Sequence, residues 1–280
     1  MKKKTIFKLG LLLFIVIDML IFAYPTISSK VNQRTQTQVV ADHKAHIESL
    51  SEEELAGLLK ECQAYNANLA KYGIRAEQSA DERAAYQQIG EKLNGVLGYL
   101  DIKKINVHLP IYTGVSEGSL ASGLGHMEST SLPVGGAGTH SFITGHTGIP
   151  SSILLTDLDQ LVIGDTFTVN MLKQNLTYQI DDIQVVLPSD YRAMQIVEGM
   201  DYCTLVTCTP YGVNSHRLLV RGVRIDPSEI TISHDASGVS KALLVRIVIV
   251  VSILILTIIS FIRFLREKRR EKVLKEHNLR

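Results

Sequence analysis

Apolar positions follow three different rhythms along this chain, and each rhythm predicts a different kind of element. Near both ends the apolar residues are continuous. Residues 9–24, LGLLLFIVIDMLIFAY, carry one charge, and residues 242–262, ALLVRIVIVVSILILTIISFI, carry only Arg246. A helix needs about 20 apolar residues to cross a bilayer, and the second run has that length. Arg246 sits close enough to its start to snorkel to the interface. The first run is shorter and contains Asp18, and the FAYPTISS that closes it lacks a clean small-x-small cleavage site. It reads as a retained anchor rather than a cleaved leader.

Between these runs the rhythm is first helical. Residues 26–42 are polar and weakly patterned, as in a stalk. Over 43–72, HKAHIESLSEEELAGLLKECQAYNANLAKY, leucines and alanines recur at helical spacing behind acidic early turns, and Cys62 falls on a face of that helix. A second helix is predicted over 80–94. At Gly98 the period drops to two. GYLDIKKINVHLPIYTG, SFITGHTGIP, DTFTVNML, LTYQIDDIQVVL, CTLVTC and RLLVRGVRI all read as strands, broken by Gly and Pro. A glycine-rich stretch separates the first two, and SSILLTDLDQL (151–161) predicts a short helix. Many short strands with few helices point to a mostly β fold, a closed or partly closed barrel. The expected organisation is a basic flank and anchor (1–25), a helical N-terminal region (26–97), a β-barrel domain (98–228), a linker (229–241), a transmembrane helix (242–262) and a basic tail (263–280).

Charge orients this plan. Lys+Arg number 29 and Asp+Glu 28, a formal net charge of +1, but the sum hides a partition. Both apolar runs are flanked by basic residues, which places both termini in the cytoplasm and the middle outside. With the basic flanks set aside, the middle is acidic, at about −8. An acidic outer domain excludes nucleic acid as a partner, and the basic tail fits a membrane flank. The glycines form no phosphate loop. Three cysteines, Cys62, Cys203 and Cys208, leave at least one thiol unpaired within the chain. They lack the neighbouring ligands of a zinc site, and no other metal or cofactor is expected.

Cys208 is the most promising of the three. Alternation places Thr204, Val206 and Cys208 on one face of their strand and Leu205 and Thr207 on the other. Cys208 ends that strand, and TPYGVNSH turns the chain back into a strand that begins at Arg217. A free cysteine is most often a small buried hydrophobe, but a rim position suits a nucleophile instead. A nucleophilic thiol needs a histidine in hydrogen-bond reach. Among nine histidines, His146 in ITGHTG is exposed by its flanking glycines, while His140, His126 and His216 remain competitors.

Beyond these local arguments, TLVTCTPYGVNSHRLLVRG (204–222) resembles the signature of sortases, particularly the pilus-assembling class C. SLPVGGAGTHSFITGHTGIP resembles the histidine segment of the same class, and KINVHLPIYTG its preceding strand. The resemblance covers about residues 98–226. It implies an eight-stranded sortase β-barrel with His146, Cys208 and Arg217 as catalytic residues, and Thr207 lining the substrate site. It implies a cysteine transpeptidase that cleaves a Leu-Pro-x-Thr-Gly-like sorting signal through a thioacyl-enzyme and passes it to a pilin lysine. The alternatives are an anchoring enzyme that joins surface proteins to cell-wall peptide, and a non-catalytic pilus-assembly scaffold. Class C members commonly carry an Asp-Pro-aromatic lid before the barrel. Residues 73–100 contain no proline and Asp81 is followed by Arg83, so no such lid is recognisable here.

Overall fold

The computed structural model describes residues 2–226 apart from 75–77, 150–151 and 191, together with Ser228 and scattered positions of 248–270; side chains are described from Leu13 onward, Ile15 and Phe22 excepted. The chain divides into two units, Met1–Ser237 and Gly238–Arg280, and every feature below belongs to the first.

The first helix, α1 (Lys2–Ser49), is unbroken, so residues 26–42 are helical and not an irregular stalk. Their polar composition conceals the helix because only a narrow stripe of it meets protein. Gln36, Val40, His43 and Ile47, spaced by four, three and four, are buried, while most of their neighbours face solvent. The expected single helix over 43–72 is divided at Leu50–Ser51. There Ser51 Oγ accepts from the Glu54 amide (3.2 Å) and the Glu54 carboxylate accepts from the Ser51 amide (2.8 Å), a capping box that starts α2 (Glu52–Tyr72). Ser79 and Glu82 repeat the device at the start of α3 (Ala80–Lys92). α2 buries Leu55, Leu58, Cys62, Tyr65, Asn66 and Leu69. Cys62 is a core residue, and burial pushes its thiol up to about 12.

Eight strands follow: β1 (Val96–Ile102), β2 (Val107–Thr113), β3 (Leu124–His126), β4 (Thr139–Thr144), β5 (Thr166–Met171), β6 (Gln174–Val186), β7 (Asp201–Thr209) and β8 (His216–Arg224). They close into a barrel in the order β1-β2-β3-β4-β7-β8-β6-β5. The eight-stranded barrel with N-terminal helices is therefore present. A one-turn-scale helix, α4 (Glu117–Ser122), and the short β3 occupy sequence that shows no clear period. Residues 152–161 do not form the helix expected over 151–161; they make turns and a 3-10 segment, Leu158–Gln160. Leu154, Leu155, Leu158 and Leu161 are all buried, so their helix-like spacing serves to pin an irregular segment to the core.

Two pairings position the site. β4 runs parallel to β7, with Phe142 beside Thr204 and Thr144 beside Val206. β7 runs antiparallel to β8, with Val206 beside Leu219 and Cys208 beside Arg217. Cys203, Leu205, Leu218 and Val220 point into the main core, while Phe142, Val206 and Leu219 form a separate cluster on the outer face.

No helix among the described residues is long and apolar enough to cross a membrane. The expected span at 242–262 lies mostly outside the described residues, and the side chains of 9–12, 15 and 22 in the expected anchor also lie outside them.

Candidate active site

The last β4–β7 pair is Thr144 with Val206, and the two chains stay joined beyond it. The Gly145 amide donates to the Val206 carbonyl at 3.0 Å, and the Thr207 hydroxyl donates to the Gly145 carbonyl at 2.8 Å. β4 itself ends at Thr144, and continuing its register two residues further brings His146 level with Cys208. Cys208 is in turn paired with Arg217 across the β7–β8 ladder. At the barrel rim, Cys208 and Arg217 are thus neighbours across β7 and β8, and His146 follows two residues after the end of the adjacent β4. All three are part-exposed, and Cys208 is a free thiol.

Glycine is needed at 145 for space. A Cβ there would come within 2.6 Å of Leu124 Cδ2 and 3.0 Å of Leu155 Cγ. Gly148, at φ +74°, lies under the Tyr211 ring, so the loop after His146 is held against the β7–β8 turn. Thr207, expected to line the substrate site, is buried at 3 % exposure and its hydroxyl is committed to Gly145. It ties the nucleophile's strand to the histidine's.

The competing histidines have other employment. His140 is buried; its Nδ1–H donates to the Gln195 carbonyl (2.7 Å) and its Nε2 accepts from the Thr204 hydroxyl (2.8 Å). Burial lowers it to about 4, keeping it neutral. His126 is likewise buried, donating from Nε2 to the Ser131 carbonyl (2.9 Å) and accepting at Nδ1 from the Tyr86 hydroxyl (3.0 Å), and burial lowers it to about 4. His216 pairs with Thr209, one position beyond Cys208, and bonds Ser215. Among the described residues no side chain holds the His146 ring. Arg217 donates, among the described residues, only to the carbonyls of Asn214 (3.3 Å) and His216 (3.2 Å), which leaves the rest of its fork available. Asp201, at the opposite end of β7, binds the Gly136 amide, Thr139 and Tyr178.

The outer face running back from Cys208 is a floor of Val206, Phe142 and Leu219, covered by Met127, Val186, Ala193 and Met194. No Asp-Pro-aromatic stretch precedes the barrel; the α2–α3 connection instead lays Ile74 on this floor, and residues 75–77 lie outside the described ones. Farther along the same face a cleft of about 820 Å³ is lined by His140, Gln184, Tyr202, His216 and Arg221. Arg221 is fixed there by a two-pronged ion pair with Asp181 (3.0 and 2.8 Å) and lies 4.4 Å over the Tyr202 ring. Of these, His140 and His216 stand out in sequence only as competing histidines, and Gln184, Tyr202 and Arg221 are not conspicuous. Within their own strands Thr204 shares the parity of Cys208, and Arg221 that of Arg217, which is a signal that could have found them.

A family model described as Sortase domain matches residues 100–225. The chain is similar to sortase C1 from Streptococcus agalactiae, with 44 % identity and a TM-score of 0.65, over 68 % of this chain and 98 % of that one. The chain belongs to the sortase family. A second class C sortase, from Clostridium perfringens and solved with its C-terminal cell wall sorting motif, is 39 % identical at a TM-score of 0.60, covering 68 % and 99 %. Among curated sortases, sortase A of Bacillus anthracis is 25 % identical over 127 residues, 45 % of this chain and 59 % of its own. The match therefore spans little more than half of that relative. The matched barrel is the part of this sortase that carries His146, Cys208 and Arg217, whereas α1 to α3 fall outside residues 100–225.

Proposed function

We propose that this sortase is a cysteine transpeptidase of the pilin-polymerising class. What supports the reading is the pairing of Cys208 with Arg217 across β7 and β8 and the place of His146 just past the end of the neighbouring β4: an acid–base, a thiol and a cation at one barrel rim. The Cys208 proton passes to His146, and the thiolate attacks the threonine backbone carbonyl carbon of a Leu-Pro-x-Thr-Gly-like sorting signal, so that cleavage falls after the threonine. Arg217, always cationic, stabilises the oxyanion or holds the substrate backbone. His146 returns its proton to the departing amine, leaving a thioester on Cys208. A pilin lysine amine then attacks the thioester, giving up a proton to His146, and the thiol is restored. Thr207 acts by holding the Cys208 strand against the His146 chain. No cofactor enters this scheme.

The apolar runs at 9–24 and 242–262 would hold the enzyme in the cell membrane with both termini cytoplasmic and the barrel outside, facing pilin or surface-protein substrates. The test is to incubate the full-length protein with a recombinant pilin bearing the sorting signal. A covalent pilin ladder that disappears in Cys208→Ala supports the proposal. Transfer to peptidoglycan amines without a ladder would make it an anchoring enzyme, and a ladder that survives Cys208→Ala would reduce it to a scaffold.

A further inference from the structure

The loop that carries His146 is fastened on both sides. On the barrel side, Gly145 is bonded to Val206 and Thr207, and the His146 carbonyl accepts from the Leu155 amide at 3.2 Å. Two further bonds close the loop on itself, Gly148 amide to Thr156 Oγ1 (3.2 Å) and Ser152 amide to Ile149 carbonyl (3.3 Å). On the other side lies α1. Gln36 Nε2 donates to Ser152 Oγ at 3.2 Å, and both residues are buried, at 5 % and 4 % exposure. The hydroxyls of Thr35 and Thr37, on either side of Gln36, turn back to carbonyls of their own helix. Gln36 is therefore the polar group of this turn that reaches the barrel. It is also the first residue of the buried stripe continued by Val40, His43 and Ile47.

A buried side-chain amide has to be satisfied, and here its acceptor is a serine of the histidine loop. An apolar residue would dock α1 equally well. The polar pair adds direction, fixing one point of the loop against a helix that is otherwise remote from the chemistry. We propose that Gln36 is a positioning residue: through Ser152 it sets the His146 loop so that the imidazole stays beside Cys208. The proposal rests on the assignment of His146 and Cys208 to one reacting pair. It makes the helix that leads from the N-terminal apolar run part of the catalytic framework.

Two readouts on the full-length protein in detergent separate this proposal from that assignment. One is the pH profile of Cys208 alkylation by iodoacetamide, for which Cys62 and Cys203 are buried out of reach. The other is kcat and KM for cleavage of a Leu-Pro-x-Thr-Gly peptide. His146→Ala calibrates the alkylation profile; if it leaves that profile unchanged, the pairing itself fails and the proposal fails with it. Gln36→Met, which keeps the size and removes the donor, is expected to move the profile toward that of His146→Ala. It is also expected to lower kcat about three- to tenfold with KM nearly constant. Ser152→Ala should match it, the double variant should be no worse than either single, and Ser152→Thr should retain activity. Val40→Ala, on the same stripe, should lower Tm and leave the profile in place. The proposal is overturned if Gln36→Met behaves as wild type while His146→Ala does not. It is equally overturned if Val40→Ala shifts the profile as far as Gln36→Met.

Discussion

Cys203 and Cys208 lie on the same strand and differ in everything that matters for a thiol. Their odd separation puts them on opposite faces of β7. Cys203 points into the barrel, has no exposure, and burial drives its thiol well above the ordinary value. Cys208 is the last residue but one of the strand, on its outer face, half-open and paired with Arg217. Residue type contributes nothing to this difference. Parity and distance from the strand end decide which cysteine is core and which can react.

The sharpest way to break the comparison is to exchange the two losses. Cys208→Ala is expected to abolish peptide cleavage, a fall of at least about 1,000-fold, with little change in Tm. Cys203→Ala should keep kcat and cost about 1 kcal/mol or more of stability through the cavity it leaves. Peptide cleavage and thermal melts on the two variants check both halves. A smaller effect is expected at the cation. Arg217→Lys keeps the charge and loses the fork, and should lower kcat about 10- to 100-fold in the same assay. Arg221→Lys, whose partner is Asp181 and not Cys208, should leave kcat close to wild type.

Most of the fold was legible because the barrel strands alternate strongly and the turns carry Gly and Pro. The candidate site was legible for a related reason: Cys208, Arg217 and His146 all stand at strand ends beside turn residues, where sequence position and exposure coincide. What stayed hidden depends on tertiary partners. The stripe Gln36–Val40–His43–Ile47 mixes polar and apolar residues, so its helix lacked an apolar signature. The leucines of 154–161 had the spacing of a helix but take their places from the core they fill. The capping boxes at Ser51 and Ser79 were present as S-x-x-E, and the first of them marks the break inside the stretch expected as one helix.

Gly145 sharpens the comparison from the histidine side. Gly145→Ala brings a methyl to 2.6 Å from Leu124 Cδ2 and 3.0 Å from Leu155, and either these buried side chains or the strand end must shift to relieve it. About 1–3 kcal/mol of lost stability is expected, together with a fall in kcat as His146 leaves its register. Circular-dichroism melts and the peptide assay read the two effects.

The smallest effect is in acid. Burial holds His126 and His140 at about 4, below the ordinary 6.5. The unfolded chain binds these protons first as pH drops, so their contribution is intact above 6.5 and is lost progressively from 6.5 down to about 4. Urea titrations across this window should show a loss of a few kcal/mol in total. Replacing His140 by Gln, which keeps polar atoms toward Thr204 and Gln195, should remove part of that pH dependence while cleavage at neutral pH persists.

The central claim, that Cys208 rather than Cys203 or Cys62 is the nucleophile, has a direct measurement. The full-length protein is mixed with a Leu-Pro-x-Thr-Gly peptide, quenched in acid before an acceptor amine is added, and digested for mass spectrometry. The account predicts an acyl adduct through the threonine on the peptide containing Cys208, absent from His146→Ala at the same time point. An adduct on Cys203 or Cys62, or peptide cleavage that persists in Cys208→Ala, would contradict it.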